Sequence, residues 1–240
     1  MLVLAMDTAT PVTGVAVGSE SGTLASVAVR HERRHAEVLV PAVRWALEQA
    51  GVEPGWLAGV AVGVGPGLFT GLRVGVASAK ALAQAWRLPM VAVPSLDLLA
   101  FAHRHVRRTI CPVIDARRGE VFTAVYRPAP AGVVRLVEYH VLRPDQLAAA
   151  LEGRGEEVLL CGDGALAYRE VFQRHGDRLH LGSRAQAMPS AGALVELALP
   201  RFQREEFSSP LDVTPLYLRR PDVDPSVERR LAGERGAGGP

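Results

Sequence analysis

The stretch VLAMDTAT (residues 3–10) ends an apolar run on Asp7, and the stretch CPVIDARR (residues 111–118) ends another on Asp115. Unbroken apolar runs of this kind are typical of strands that are buried on both faces of a sheet. Each aspartate lies where the first predicted hairpin of its half begins. The match between the two stretches predicts that the chain contains two related copies of one α/β unit.

The predicted elements of the two halves follow the same order. The first half has predicted strands at 2–6, 13–18 and 23–29, a helix at 34–50, a strand at 57–64, a helix at 70–86, a strand at 90–93 and a helix at 95–103. The second half has predicted strands at 109–115, 120–126 and 133–141, a helix at 144–151, a strand at 157–161, a helix at 165–175, a short strand at His180 and a helix at 189–204. Each half is therefore βββαβαβα, and two such domains would face each other across a cleft.

The charged run Arg104–Arg108 predicts where the two domains divide. The sequence then consists of an N-terminal domain at 1–104, a C-terminal domain at 105–221 and a tail at 222–240. The tail is rich in glycine and charged residues, so we expect it to be disordered.

The bulk composition is that of a globular protein. The chain has 240 residues, of which 48% are hydrophobic and 22% charged, and its net charge of +2 is too small to indicate a nucleic-acid-binding protein. Cys111 and Cys161 lie in apolar runs and are expected to be buried and reduced. The apolar N-terminus is too short for a signal peptide, and no stretch is long enough to span a membrane, which predicts a cytoplasmic protein.

A glycine-rich link, Gly63–Gly75, joins a predicted strand to a predicted helix. Phosphate loops occupy such positions, but Leu72 and Arg73 follow Gly71 where a P-loop needs Lys and Ser or Thr. A dinucleotide fingerprint fails because the third glycine comes one place late. The link is better interpreted as a tight turn, with Thr70 capping the helix that follows.

Two predicted helices carry more apolar surface than one sheet needs. On the second helix, small residues recur every four positions and form a ridge without side chains, at Gly71, Gly75, Ala79 and Ala83. Such a ridge lets another helix approach closely. The residues predicted to contact a partner are Leu39, Ala42, Val43, Trp45, Thr70, Gly71, Leu72, Gly75, Ala79 and Leu82. The alternative is that the chain covers both helices itself.

The first hairpin offers a carboxylate and hydroxyls at a turn, in Asp7, Thr8 and Thr10. Such a loop could hold a metal–phosphate group, but the same residue types also satisfy turn backbones locally. At the matching turn, Asp115 is followed by Arg117 and Arg118, where a backbone cradle for phosphate would need glycine. An ATPase or kinase that uses Asp7 and Asp115 is therefore the alternative function.

Other catalytic patterns are missing from the sequence. There is no Gly-x-Ser-x-Gly elbow and no HExxH zinc motif. His35 is expected to be a cap or a surface residue at the start of its helix.

The loop GPGLFTGLRVG (residues 65–75) resembles the G-P-G-S-F-T-G-L-R-x-G signature of the TsaB (YeaZ) family, with Leu68 in place of the usual serine. Further similar segments occur in the expected order, at DTAT (7–10), RRHAEVLVPAV (33–43), VPSLDLLA (93–100), DARRGEVF (115–122) and PLYLRRP (215–221). The resemblance therefore covers nearly the whole chain.

The resemblance implies two ribonuclease-H-like domains of the actin/Hsp70/sugar-kinase (ASKHA) superfamily. It implies a part in making N6-threonylcarbamoyladenosine in tRNAs that read ANN codons. In that family the protein is a non-catalytic activating subunit, which pairs with TsaD through its first two helices and helps to recruit the ATPase TsaE. Without TsaD we expect the same surface to form a homodimer, and we expect tRNA contact only within the complex.

Departures from TsaD in the sequence agree with that role. TsaD carries an HxEGH metal motif around the stretch that corresponds to Val93–Asp97, where this chain has no histidine. Active members have Asp-x-Gly-Thr in the first loop, and this chain has Ala9 in place of the glycine. These differences predict no catalytic residue, no metal and no cofactor, and they also argue against a metal-dependent glycoprotease.

Overall fold

The computed structural model describes residues 1–31 and 34–219, and the predicted tail at 222–240 lies outside the described residues. The first half comprises β1 (Leu2–Asp7), β2 (Val12–Ser19), β3 (Gly22–Arg30), α1 (His35–Ala50), β4 (Leu57–Gly63), α2 (Phe69–Trp86), β5 (Met90–Val93) and α3 (Ser95–Ala102). The second half comprises β6 (Thr109–Arg117), β7 (Glu120–Ala129), β8 (Gly132–Leu142), α4 (Pro144–Glu152), β9 (Val158–Cys161), α5 (Asp163–Ala167), α6 (Arg169–Arg174), β10 (Leu179–Leu181) and α7 (Ala191–Gln203).

The two halves form five-stranded sheets with the same strand order. The first sheet runs β3-β2-β1-β4-β5, and the second, read from its other edge, runs β8-β7-β6-β9-β10. In both sheets the first three strands pair antiparallel and the last two join in parallel. The predicted duplication is thereby confirmed, although the helix predicted at 165–175 is two short helices that meet at Tyr168.

Helices cover both faces of the first sheet. The side chains of Leu4 and Met6 pack with α1 and α2 on one face, while those of Val3 and Ala5 pack with α7 on the other. This alternation along β1 explains why the strand is apolar throughout, since a central strand has no solvent-facing side. The exposed sides of α1 and α2 therefore lie on the same outer side of the molecule.

The last helix of each half packs on the sheet of the other half. Helix α3 follows β5, yet Leu96 and Leu99 of α3 pack against β6 in the second sheet. Helix α7 follows β10, yet Leu194 and Phe202 of α7 pack against the first sheet. The packing thus departs from the predicted division at 1–104 and 105–221, because α7 covers the first sheet although it falls within the predicted second domain.

Candidate functional site: the glycine-rich loop and the outer face of two helices

The glycine-rich loop between β4 and α2 lies directly on the turn between β1 and β2. The Leu68 amide donates a hydrogen bond of 2.8 Å to the Ala9 carbonyl oxygen. On its other side, the loop exchanges hydrogen bonds with the start of α3, from the Ser95 amide to the Gly65 carbonyl oxygen (2.6 Å) and from the Gly65 amide to Ser95 Oγ (3.2 Å). The loop is therefore hydrogen-bonded to both the β1–β2 turn and the start of α3, and these contacts argue against a phosphate-binding loop.

The predicted helix cap at the end of this loop was wrong. Helix α2 begins at Phe69, its N-cap residue is Leu68, and no side chain caps it. Thr70 is the second residue of the helix and is exposed. The helix therefore begins one residue before Thr70, the residue that was predicted to cap it.

Asp7 is buried beneath the glycine-rich loop, and its two carboxylate oxygens are both occupied. Oδ1 accepts a hydrogen bond from the Ala9 amide (2.9 Å), and Oδ2 accepts one from the Ser95 hydroxyl (2.6 Å). Burial raises the pKa of Asp7, and these two hydrogen bonds oppose that rise. The bond to the Ala9 amide satisfies the turn backbone locally, which is the alternative that the sequence left open, whereas the bond to Ser95 connects β1 to α3.

The neighbouring threonines also point inward. The Thr8 hydroxyl donates to the Gly71 carbonyl oxygen at 2.7 Å, which joins the first turn to α2. Thr10 is buried as well, and its hydroxyl has no hydrogen-bond partner among the described residues. The first candidate nucleotide loop is thus covered by its own chain.

The second candidate loop is the turn between β6 and β7. Asp115 is half-buried and pairs with Arg117 Nη1 at 3.1 Å. Its amide donates to Asp163 Oδ1 at 3.1 Å, and burial raises the pKa of Asp163 to about 6.

The same turn has an unusual backbone. Arg117, Arg118 and Gly119 all have positive φ, at 62°, 57° and 75°. Arg117 pairs with Glu120 across the hairpin, so Arg118 and Gly119 form its tip. Two-residue hairpin turns of type I′ have positive φ at both central residues, and a non-glycine residue adopts it at some cost in free energy.

The small-residue ridge of α2 is covered by the chain itself, which corrects the prediction that a partner covers it. A Cβ atom at Gly71 would collide with the carbonyl oxygen of Thr8, and one at Gly75 would collide with the Thr8 hydroxyl. The ridge exists because α2 must approach the first turn of its own domain this closely. Most of the predicted contact residues are therefore inside the folded chain, namely Leu39, Ala42, Val43, Gly71, Leu72, Gly75 and Ala79.

Other residues of the same helices face outward. Of the predicted set, Trp45 is 44% exposed, Thr70 is exposed and Leu82 is half-buried. A second row of small residues on α2 is exposed, at Ala77, Ala81 and Ala85, and Val40 of α1 is 51% exposed. We call these outward-facing residues, Val40, Trp45, Ala77, Ala81 and Ala85, the outer face.

His35 is buried, which contradicts the expected cap or surface position. Thr13 Oγ1 lies 2.9 Å from His35 Nδ1 and 2.8 Å from His31 Nε2, and the two imidazole rings meet edge to face at 4.4 Å. Burial, and secondarily the nearby charge of His31, lowers the pKa of His35 to about 4. The sequence carries no local signal for this cluster, because its members come from β2, from the connection after β3 and from α1.

Both cysteines are buried, as the sequence predicted. Cys111 and Cys161 are free thiols, and burial raises the pKa of Cys111 to about 12, so this thiol stays protonated. Within residues 1–31 and 34–219, no cluster of three or more metal-ligating side chains occurs, and no helix there is long and apolar enough to cross a lipid bilayer.

Comparison with known proteins gives one consistent result. The family model described as TsaD, tRNA N6-adenosine threonylcarbamoyltransferase, matches residues 24–225. The tRNA threonylcarbamoyladenosine biosynthesis protein TsaB of Bacillus subtilis is 30% identical over 226 residues, which cover 93% of this chain and 96% of that protein. A tRNA N6-adenosine threonylcarbamoyltransferase of Sorangium cellulosum is 33% identical over 237 residues, which cover 87% of this chain and 63% of that protein.

Among solved structures, YeaZ from Pseudomonas aeruginosa superposes with a TM-score of 0.79 at 30% identity, covering 90% of this chain and 99% of that one. The shared strand order of the two sheets and these likenesses agree with two ribonuclease-H-like domains of the actin-like superfamily. The chain therefore belongs to the TsaB (YeaZ) family of tRNA threonylcarbamoyladenosine biosynthesis proteins.

Proposed function

We propose that this chain is the non-catalytic activating subunit that pairs with TsaD, and that TsaE joins through the resulting pair, in the cytoplasm. The family membership places the protein in the biosynthesis of N6-threonylcarbamoyladenosine in tRNA. The observation that carries the finer proposal is the outer face, the exposed apolar residues that α1 and α2 both carry.

The outer face has the composition of a protein–protein contact. Trp45 supplies a large, half-exposed aromatic side chain, of the kind that dominates binding energy in interfaces. Ala77, Ala81 and Ala85 recur every four residues along α2, so a helix of the partner could approach this row closely. TsaD would therefore dock on the outer face and not on the buried ridge.

The state of the two candidate loops supports a subunit without its own chemistry. The carboxylate oxygens of Asp7 and the hydroxyl of Thr8 form hydrogen bonds within the chain. Arg117 engages Asp115, which would have to be free to act with Asp7 in an ATPase or kinase. Both carboxylates are therefore engaged by groups of the chain itself.

The test is co-purification of TsaD with the full chain and with Ala81→Arg. A long charged side chain in the middle of the alanine row should abolish co-purification and leave the thermal midpoint within a few degrees of the original. Ala150→Arg is the matched control, because Ala150 is also an exposed helical alanine but lies on α4 of the second half. Retention of TsaD by Ala81→Arg would reject the outer face as the docking site.

The same variant examines the isolated chain. We propose that, without TsaD, two copies pair through the outer face, so Ala81→Arg should elute as a monomer in size-exclusion chromatography with light scattering. ATP hydrolysis by the purified chain, lost on Asp115→Asn, would instead establish the ATPase alternative.

A further inference from the structure

A cavity of about 510 Å³ opens where the two halves of the chain meet. It lies beyond the carboxyl ends of β4 and β5, and its walls include residues of α3, β8, α7 and the segment that follows α7. Open α/β sheets commonly bind ligands beyond the carboxyl ends of their strands. The cavity is separate from the outer face, because none of its lining residues belongs to α1 or α2.

The carboxylate residue that lines this cavity is Asp97 of α3. Its Oδ1 accepts hydrogen bonds from the hydroxyls of Tyr126 (2.5 Å) and Tyr139 (2.8 Å), and Arg135 Nη1 lies 3.7 Å from the same oxygen. Oδ2 accepts no hydrogen bond from any described residue. The donors hold the carboxylate in one orientation and leave Oδ2 as an acceptor for a ligand.

The two tyrosines and the arginine act as a fixed support for that carboxylate. Burial, and then the charge of Asp97, raises the pKa of Tyr126, and the same causes raise that of Tyr139, so both hydroxyls keep their protons and donate. Arg135 also donates to the Tyr139 hydroxyl, lies 4.2 Å above its ring and pairs with the exposed Glu138 at 3.2 Å.

Arg201 of α7 supplies the complementary charge in the cavity wall. Its Nη1 donates to the Ala92 carbonyl oxygen at 2.8 Å, which fixes the guanidinium. It forms no ion pair in the described part of the chain, since the nearby Glu206 is held by Arg204. A fixed guanidinium with free N–H groups is well suited to a carboxylate.

We propose that this cavity binds a small α-amino acid, with its carboxylate on Arg201 and its ammonium group on Oδ2 of Asp97. Arg135 is already paired with Asp97 and Glu138, whereas Arg201 has no ion pair among the described residues, so a bound carboxylate would supply the counter-charge for Arg201. The free oxygen of Asp97 needs a donor, which the ammonium group supplies. The apolar walls of Val64, Pro94 and Pro215 suit a small aliphatic side chain.

The experiment titrates the full chain with L-alanine, L-serine and L-threonine, each by calorimetry and by ligand-observed NMR. We expect saturable binding of at least one of them below about 10 mM. Propionate and ethylamine each carry only one of the two charged groups and should bind at least about tenfold more weakly. Arg201→Gln and Asp97→Asn should each weaken the amino acid by about tenfold or more.

Controls separate binding from a purely structural role of the cluster. Asp97→Asn keeps an oxygen that can accept the tyrosine hydrogen bonds, and a thermal melt checks that it folds; if it does not, Arg201→Gln decides alone. Arg184→Gln is the matched control, because Arg184 is exposed and lies outside the cavity. The proposal is overturned if no amino acid binds saturably, or if Arg201→Gln binds as tightly as the original chain.

Discussion

The Ser95 hydroxyl donates a hydrogen bond of 2.6 Å to Asp7 Oδ2 and thereby joins the first residue of α3 to the last residue of β1. Both residues are buried, and Ser95 Oγ also accepts the Gly65 amide at 3.2 Å. One hydroxyl thus links the central strand of the first sheet, the glycine-rich loop and the helix that crosses to the second sheet. A buried carboxylate in this position depends on its donors for stability.

Ser95→Ala should lower the free energy of unfolding by about 2–3 kcal/mol, because it leaves a buried carboxylate oxygen without its donor. Urea denaturation followed by circular dichroism measures the change. Ser21→Ala is the control, since its hydroxyl bonds only Ser19 at an exposed turn, and it should change stability by less than about 0.5 kcal/mol. Equal effects of the two substitutions would contradict the role given to Ser95.

The buried ridge and the outer face of α2 predict opposite consequences for neighbouring substitutions. Gly75→Ala should cost about 1–3 kcal/mol in stability, because its Cβ would collide with the Thr8 hydroxyl. Ala77→Gln, two positions along and exposed, should leave the unfolding free energy unchanged within about 0.5 kcal/mol.

Thermal melts of these two variants decide the matter. If Gly75→Ala were as stable as the original chain, the ridge would not be in close contact with the first turn. If Ala77→Gln were the less stable of the two, the assignment of the two rows on α2 would have to be exchanged.

How much the sequence could predict depended on whether the signal was local. The strands and most helices were predictable, because each of their signals is contained in a short stretch of sequence. Examples are the apolar run before Asp7 and the turn at Gly22. The ridge of Gly71 and Gly75 was also visible, but the identity of its neighbour was not. A row of small residues predicts that another segment packs closely against the helix, but it does not show whether that segment belongs to a partner or to the same chain.

Long-range pairings account for what the sequence missed. Ser95 is 88 residues from Asp7, and Thr13 is 22 residues from His35, so no spacing rule connects them. The exchange of α3 and α7 between the sheets was equally hidden. Both helices have an apolar side that would suit either sheet, and only the connections around them decide which one they cover.

The unfolding free energy should fall as the pH is lowered from 6.5 to about 4, through His35. The pKa of this side chain is about 4 in the folded chain and close to 6.5 when unfolded. Between those pH values the His35 side chain binds a proton in the unfolded chain but not in the folded chain. The contribution of neutral His35 to stability is therefore complete above pH 6.5 and is lost as the pH falls towards 4. The full loss is about 3 kcal/mol.

Other buried groups act with the opposite sign, since burial raises the pKa of Asp163 to about 6 and also raises that of Asp7. The measurement is therefore a difference between the original chain and His35→Gln, with urea denaturation at each pH. The stability of the original chain minus that of His35→Gln should fall by about 3 kcal/mol as the pH is lowered from 6.5 to 4, whereas His105→Gln, at an exposed position, should reproduce the curve of the original chain. A pH dependence that His35→Gln leaves intact would show that His35 is not the responsible group.

The exchanged helices predict that the two halves unfold together. All three tryptophans, Trp45, Trp56 and Trp86, lie in the first half, so tryptophan fluorescence reports the first sheet while circular dichroism reports the whole chain. Leu99→Ala removes a buried side chain that α3 packs on the second sheet, and it should cost about 2–5 kcal/mol. Because α3 is continuous with β5 of the first sheet, this loss should move the fluorescence and circular dichroism transitions by the same amount.

Phe202→Ala on α7 removes packing from the first sheet and should also move both transitions together, with a cost of about 3–5 kcal/mol. Two separate transitions, or a fluorescence midpoint that Leu99→Ala fails to shift, would mean that the exchange of helices does not couple the halves.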